Sequence, residues 1–394
     1  MNPTISRRGM VAAMTAASAG RILGANGRIR LGVIGAGGRG RYLMSNANKT
    51  ASNIQWVAAA DAYDVQRDQA EKVAGVQIDK YVDYRNVLDR NDIDAVIIAT
   101  WDHAHCEIAV AACQAGKDVY VEKPLTLHPM EGHQIVKAVR QHKRILQTGT
   151  QQRSYPHFVE AKERFIDSGK IGRVTMVRTI WNGNGAYRNQ PPPPNMAQQP
   201  SGMDWNVCQA RLPKVPWDAK RYFNHYVYWD YSTNAQMGGL FVHMVDVVHW
   251  YLKVAKPLAA MCMGGIYLGL EGRDTADNIN SIVEYPGGLL VTFEANVTDM
   301  LAKENADIVF MGTGGRLHIF RYGYRFLPVD KAAAPVTAEA TPELHVANWL
   351  DCVRSRKPAA CDEEAGHYSA MACHICNISY KEKRRVEWRK EWDV

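Results

Sequence analysis

Three observations predict a two-part α/β fold for this chain of 394 residues. Short apolar runs alternate with helix-period segments through its first 150 residues. The glycine-rich run Gly35-Ala36-Gly37-Gly38-Arg39-Gly40 directly follows the first apolar run, Leu31-Gly32-Val33-Ile34. Beyond Thr150 the texture changes to longer β-rich stretches broken by glycine turns. Strands that alternate with helices require crossovers and make a parallel sheet, whereas long strands joined by tight turns make an antiparallel one. The expected architecture is therefore an N-terminal doubly wound parallel sheet over 28–150. A C-terminal α/β domain over 151–394 follows, with a large, mostly antiparallel open sheet and last helices that pack back on the first domain.

Residues 1–27 stand apart. Ser6-Arg7-Arg8-Gly9-Met10 precedes a mild apolar stretch over 11–19 that ends in Ala17-Ser18-Ala19. The stretch is too short to span a bilayer, so no stable membrane insertion is expected. Paired arginines, a mild apolar region and small residues have the form of a twin-arginine export signal, which predicts a periplasmic protein. That route moves folded proteins and so allows a cofactor to be loaded first; a fortuitous Arg-Arg pair would instead leave the protein cytoplasmic. Strands are then expected at 29–34, 54–60, 95–100, 119–122 and 145–149, with helices at 39–48, 65–73, 105–115 and 129–142. In the second part, strands are expected at 174–181, 258–268, 280–297 (turning at Pro286-Gly287-Gly288) and 306–320 (turning at Gly312-Thr313-Gly314-Gly315). Between them 183–203, with four prolines over 191–194, reads as a surface loop that is either a lid or a passive linker.

A composition of 46% hydrophobic and 22% charged residues supports two cores and excludes intrinsic disorder. The net charge of +7 comes from 47 basic and 40 acidic residues without a basic block, which gives no support for a nucleic-acid or membrane partner. The eight cysteines are scattered among apolar residues as small core hydrophobes, not as a disulfide set. Cys373-His374-Ile375-Cys376 has metal-ligand spacing but sits in a helical pattern over 364–381 with no second ligand pair. His243, Asp246 and His249 sweep round an apolar helix rather than converge, so no metal site is expected.

Glycine spacing carries specific chemistry here. Gly35 permits a tight turn, Gly37 lets the backbone approach a pyrophosphate, and Gly40 lets the helix pack close on its strand. Gly38 and Arg39 open the helix, whose unpaired N–H groups face the phosphates. Asp61 ends the next strand 21 residues after Gly40, where its carboxylate can hold ribose hydroxyls and repel a 2′-phosphate. The cofactor implied is NAD; Arg39 and Arg67 keep NADP open.

From about residue 29 to the C-terminus the chain resembles the glucose-fructose oxidoreductase/inositol dehydrogenase/MocA (Gfo/Idh/MocA) family. The carrying motifs are Gly35 to Gly40, Thr100-Trp101-Asp102-His103-Ala104-His105, Glu122-Lys123-Pro124 and His243-Met244-Val245-Asp246, with 345–351 and Gly366-His367-Tyr368-Ser369-Ala370 near the end. The resemblance implies a Rossmann domain followed by an α/β domain. It implies cofactor contacts from Thr100, Trp101, His105 and Glu122, and a catalytic ammonium on Lys123 near both nicotinamide and reacting hydroxyl. His243 is implied as proton acceptor, with Asp246 one turn on orienting it or supporting the pocket. Association into a homodimer or homotetramer through the open sheet is implied as well. One departure is Gly239, where the family commonly carries an aspartate; Asp230, Tyr231 and Gln236 are candidate substitutes. Another is Trp101, in place of a common proline.

Aromatic faces mixed with polar groups suggest a sugar, polyol or glycoside substrate held by Arg153, Trp181, Asn182, His225, Asp230 and His243, with Asn184, Trp217, Tyr226 and Trp229 nearby in sequence. The function expected is an NAD(P)-dependent oxidoreductase acting on a ring hydroxyl. Alternatives are a redox-neutral NAD-dependent glycosidase, which oxidises, eliminates, hydrates and reduces, and a non-catalytic sugar or nucleotide sensor.

Overall fold

The computed structural model describes residues 27–183, 191–268, 272–299 and 306–394. The paired-arginine segment, Asn184 and most of the loop's first half lie outside the described residues.

Six parallel strands form the first sheet: β1 (Ile29–Ile34), β2 (Ile54–Ala60), β3 (Asp79–Tyr81), β4 (Ala95–Ile98), β5 (Asp118–Val121) and β6 (Leu146–Thr148). Their spatial order is β3-β2-β1-β4-β5-β6. Order reverses between β1 and β4, which pair from Leu31↔Ala95 to Ile34↔Ile98, and a crevice opens beyond their C-terminal ends. The expected strand at 95–100 stops at Ile98, which leaves Thr100 and Trp101 in the crevice loop. Strand β5 ends at Val121, so Glu122 and Lys123 are also loop residues. The helix expected from 105 starts earlier, at Asp102. Asp79–Tyr81 was not expected as a strand; its three residues, mostly polar and exposed, carry no β pattern.

Nine strands form the second sheet, in the order β14-β13-β12-β11-β7-β10-β9-β8-β15. They are β7 (Val174–Ile180), β8 (Ala259–Gly265), β9 (Asn278–Tyr285), β10 (Leu289–Asn296), β11 (Asp307–Gly312), β12 (Gly315–Phe320), β13 (Gly323–Pro328), β14 (Val336–Glu339) and β15 (Val386–Glu387). Every neighbouring pair is antiparallel except β7 with β10. Alternation along β9 and β10 buries Ile279, Val283, Val291 and Phe293 on one face. The helices Val242–Leu252 and Glu363–Glu382 supply Val245, Val248, Met371 and Ile375 to the same core. The other face leaves Met261, Met263, Ile282 and Leu290 exposed.

The helix His345–Ser355 returns to the first sheet. Its Val346, Trp349, Leu350 and Val353 share a core with Leu31, Val33 and Leu43. Burying such side chains contributes roughly 1.5–3 kcal/mol each, so this helix adds directly to the stability of the N-terminal layer.

Candidate active site

At the ends of β1, β2 and β4 lies a cavity of about 520 Å³ lined by Gly35, Gly37, Asp61, Thr100, Trp101 and Tyr222, among others. Gly35 has φ +83°, and a Cβ there would stand 2.6 Å from the Ala99 carbonyl carbon. A Cβ on Gly40 would stand 2.1 Å from the Gly35 oxygen, so that glycine is what lets helix and strand touch. Gly37 and Gly38 instead face open space. The helix they open, Gly38–Thr50, has no side-chain cap and no acidic residue in its first turn. Its first amides and the positive end of its dipole are thus left for an anion. The Thr100 hydroxyl is buried there without a hydrogen-bond partner. Open glycines, uncapped amides and an orphan hydroxyl fit the pyrophosphate and nicotinamide ribose of NAD.

Asp61 accepts hydrogen bonds from the amides of Ala36 (2.8 Å) and Tyr63 (3.0 Å), which ties the glycine loop to β2. Burial raises its carboxyl above the usual range, against the pull of those two amides. Each oxygen keeps a further lone pair for a ribose hydroxyl. The two arginines that left NADP open are engaged elsewhere: Arg67 donates to the Asp61 carbonyl at 2.5 Å, and Arg39 pairs with Glu122 at 2.7 Å. Arg39, expected among the cofactor contacts, is therefore held by a carboxylate. Arg41, which the sequence reading missed, donates to the Ala36 carbonyl at 2.7 Å and braces the same loop.

The C-terminal part closes over this groove. The backbone amide of Asp204 donates to the Ala62 carbonyl (2.9 Å), that of Asp64 donates to the Gly202 carbonyl (3.0 Å), and Asn206, Val207, Cys208, Ala210 and Arg211 line the cavity. Trp101 stacks on His225 with centroids 4.4 Å apart and meets Trp205, Tyr222 and Tyr231 edge-on. His225 thus packs beside the crevice loop through Trp101, and burial pushes its imidazole down to about 4.

Lys123 follows β5, with a cis peptide to Pro124. Its Nζ donates to the carbonyl of Gly239 at 2.9 Å. Gly239 belongs to a π-helical segment, Asn234–Phe241, that runs into the helix Val242–Leu252 bearing His243. The carbonyl of Gly239 itself, rather than any of the candidate substitutes, thus takes the lysine. Gln236 donates to Asp277, and Tyr231 lies in the aromatic cluster. Burial lowers the Lys123 pKa. His243 is buried, its Nδ1 has no partner among the described residues, and its pKa lies well below 6.5, first from burial and then from the charge on Lys123. Burial thus favours the neutral imidazole at His243, and it draws the Lys123 amine toward its neutral form as well.

Several expected site residues are placed elsewhere. Asp246 does not orient His243: it is fully buried, holds Arg153 in a two-pronged ion pair (2.7 and 2.9 Å) and accepts from Ser369 at 2.8 Å. Residues three apart on a helix share a face, but the spacing does not say which partner each meets, and here Arg153 and Ser369 take the Asp246 carboxylate. Arg153 is thereby a structural partner, not a substrate contact. His105 is buried beneath the groove, with Nδ1 2.7 Å from the Pro124 oxygen and Nε2 3.0 Å from that of Thr100; it clamps the two crevice loops together. Asn182 donates to Glu294 and accepts from the Asn296 amide, joining the ends of the central strands β7 and β10. Asp230 is exposed and pairs with Arg221 at 2.9 Å. Trp229 packs against Lys381, away from the crevice lining, and donates to the Asp274 carbonyl.

Trp181 does reach the centre, 6.0 Å from the His243 ring. Over its face lies Arg321, 4.5 Å from the ring centroid, a residue missed because an arginine in the turn between β12 and β13 carries no motif.

Among the described residues no cluster of histidine, cysteine or acidic side chains has the arrangement of a metal site. All eight cysteines are free thiols, and burial raises Cys376 to about 12. No helix among the described residues is long and apolar enough to cross a membrane.

Comparisons with known proteins agree with this geometry. Residues 29–150 match the family model GFO_IDH_MocA, described as an oxidoreductase family with an NAD-binding Rossmann fold. Inositol 2-dehydrogenase of Klebsiella pneumoniae (strain 342) is 34% identical over 163 residues, 41% of this chain and 46% of that protein. Inositol 2-dehydrogenase/D-chiro-inositol 3-dehydrogenase of Halalkalibacterium halodurans is 35% identical over 151 residues, 38% of this chain and 43% of that protein. The chain thus spans about half the length of the curated relatives it matches. Over nearly the whole chain the fold is that of levoglucosan dehydrogenase in complex with NADH and L-sorbose (TM-score 0.74, 17% identity, 92% of this chain and 100% of that one). Residues 29–150 thus match the Gfo/Idh/MocA oxidoreductase family model and fold as the six-stranded parallel sheet of an NAD-binding Rossmann domain.

Proposed function

We propose that this protein oxidises a hydroxyl group of a sugar or polyol, with NAD as the redox partner. The observation that carries the reading is that Lys123, on the loop after β5, donates to the carbonyl of Gly239 in the segment that runs into the helix bearing His243. Bound NAD would supply the hydride acceptor, held by the Gly35–Gly40 turn, Asp61 and Thr100. The chain's own groups manage the proton. Neutral His243 takes it from the substrate hydroxyl, and the Lys123 ammonium stabilises the charge that develops on oxygen. Trp101, stacked on His225, and Trp181 offer faces for the C–H surface of a ring.

The direct test incubates purified protein with NAD and a panel of inositols, aldoses and anhydrosugars and follows nicotinamide reduction. Reduction that Lys123→Ala abolishes supports the reading. Release of an aglycone from a glycoside with no net NADH would replace it with a redox-neutral glycosidase, and binding without turnover with a sensor.

Two further points belong to the same reading. The apolar outer face of β8, β9 and β10 receives a second copy of the chain in a homodimer or homotetramer. The Ser6-Arg7-Arg8-Gly9-Met10 segment exports the folded protein to the periplasm, a route that suits eight reduced thiols and a cofactor loaded beforehand.

A further inference from the structure

The cations around the active centre differ in how they are balanced. Arg39 is closed by Glu122 and Arg153 by Asp246. Lys123 has a neutral carbonyl as its acceptor. Arg321 makes no ion pair among the described residues, and its Nε is buried without a hydrogen-bond partner. The guanidinium carbon lies over the face of Trp181, 4.5 Å from the ring centroid, and the charge of Arg321 is felt at both His243 and Lys123. Glu343 is the nearby carboxylate with a free oxygen, yet its other oxygen accepts from Tyr42 at 2.9 Å, and Arg39 acts on it more strongly than Arg321 does. It belongs to the Arg39 side.

A guanidinium held over an indole with an unused N–H edge is half of a bidentate pair. A planar carboxylate fills that edge with two parallel hydrogen bonds, whereas a neutral hydroxyl leaves a buried donor short. We propose that Arg321 is the specificity-determining residue of this site, and that it selects sugars carrying a carboxylate, uronic or aldonic acids, over neutral sugars. The proposal rests on the dehydrogenase reading above and narrows its substrate class. Such a substrate spans Lys123 and Arg321: its reacting hydroxyl lies on Lys123 and His243, and its carboxylate lies on Arg321. A phosphate ester, with two charges in a tetrahedral array, matches a single planar fork less well.

The experiment compares glucose, glucuronate, the methyl ester of glucuronate, gluconate and glucose 6-phosphate as substrates with NAD. The expected result is a kcat/KM for a carboxylate at least about 30-fold above that for glucose and the ester, expressed mainly in KM. Arg321→Gln should shrink that ratio to within about 3-fold, and Arg321→Lys, which keeps the charge but not the fork, should fall between. Equal turnover of acid and neutral sugars, or preference for the phosphate ester, overturns the proposal and leaves the dehydrogenase reading intact. If none is turned over, calorimetric titration of the NADH-loaded protein with glucuronate and glucose separates the two. Glucuronate binding that Arg321→Gln weakens at least about 10-fold keeps the carboxylate subsite without the dehydrogenase reading, while equal or absent binding of the two sugars removes the subsite.

Discussion

Lys123 and Gly239 meet across the two parts of the chain: the ammonium of the first donates to the backbone carbonyl of the second at 2.9 Å. A backbone acceptor needs no side chain, so glycine at 239 is compatible with an ordered lysine. The formal charge of that lysine is balanced only at a distance, by Glu122 and Asp102. That charge helps keep His243, four residues on, unprotonated.

Replacing Lys123 by Met should lower kcat by about 10²–10⁴, because it removes charge stabilisation at the reacting oxygen. NAD affinity should change only a few-fold, since the phosphate cradle and Asp61 lie on other loops. Steady-state kinetics with calorimetry of NAD binding checks both halves. An unchanged kcat would remove Lys123 from the chemistry.

Acid should destabilise the fold early. His103, His249 and His374 are pushed down to about 3, His345 and His367 to about 4, and His243 well below 6.5, all chiefly by burial. A histidine with a depressed folded pKa is neutral in the native state while its unfolded counterpart takes up a proton. Stability is therefore full above about pH 6.5 and falls as pH drops below it, by up to about 1.4 kcal/mol per pH unit for each such residue. Melting curves between pH 8 and about pH 5 should show a flat Tm that then declines steeply. A Tm that holds level through that range would contradict the burial of these rings.

Asp246→Asn should act on stability rather than turnover. The Asp246–Arg153 pair is buried, and removing one charge strands the other, at a cost of about 3–5 kcal/mol. The kcat of the protein that remains folded should stay near wild type, because neither side chain faces the crevice. Denaturant unfolding and kinetics corrected for active fraction distinguish this from a catalytic role.

The N-terminal layer was legible because each of its features is local. A six- or seven-residue apolar strand, a glycine turn and an acidic residue at a fixed distance all follow from contacts within one βαβ unit. Strands 29–34 and 54–60 accordingly have the expected bounds. The roles of Asp246, Arg153, His105 and Asn182 were not legible, because each is decided by a partner distant in sequence or by a backbone carbonyl. Arg153 and Asp246 are 93 residues apart. Arg321 was hidden for the opposite reason: its significance lies in a partner it lacks.

Asp61→Ala should weaken NAD binding and relax discrimination against NADP. It removes the acceptor for the ribose hydroxyls and also frees the Ala36 and Tyr63 amides, loosening the glycine turn. A loss of roughly 1–3 kcal/mol in NAD binding is expected, with the NAD/NADP affinity ratio falling toward unity. An unaltered ratio, measured by titration of both nucleotides, would show that selectivity resides elsewhere.

The exposed face of the large sheet makes a separate prediction about assembly. Met263 is 68% exposed, Ile282 50% and Leu290 43%, on adjacent strands whose opposite face is fully covered by helices. Large apolar side chains exposed together on one sheet face, among polar neighbours such as Asn280 and Thr292, favour burial against a matching surface. A second copy offers one by twofold symmetry, with each strand's outward residues meeting their own equivalents. Ile282→Lys would place like charges across that contact while leaving the inward-facing Val283 and Ser281 unchanged. Light scattering should therefore report an oligomer for the wild type and a smaller species for the variant, with a folded circular dichroism spectrum in both. A wild-type monomer, or an oligomer indifferent to the lysine, would move the interface away from this sheet.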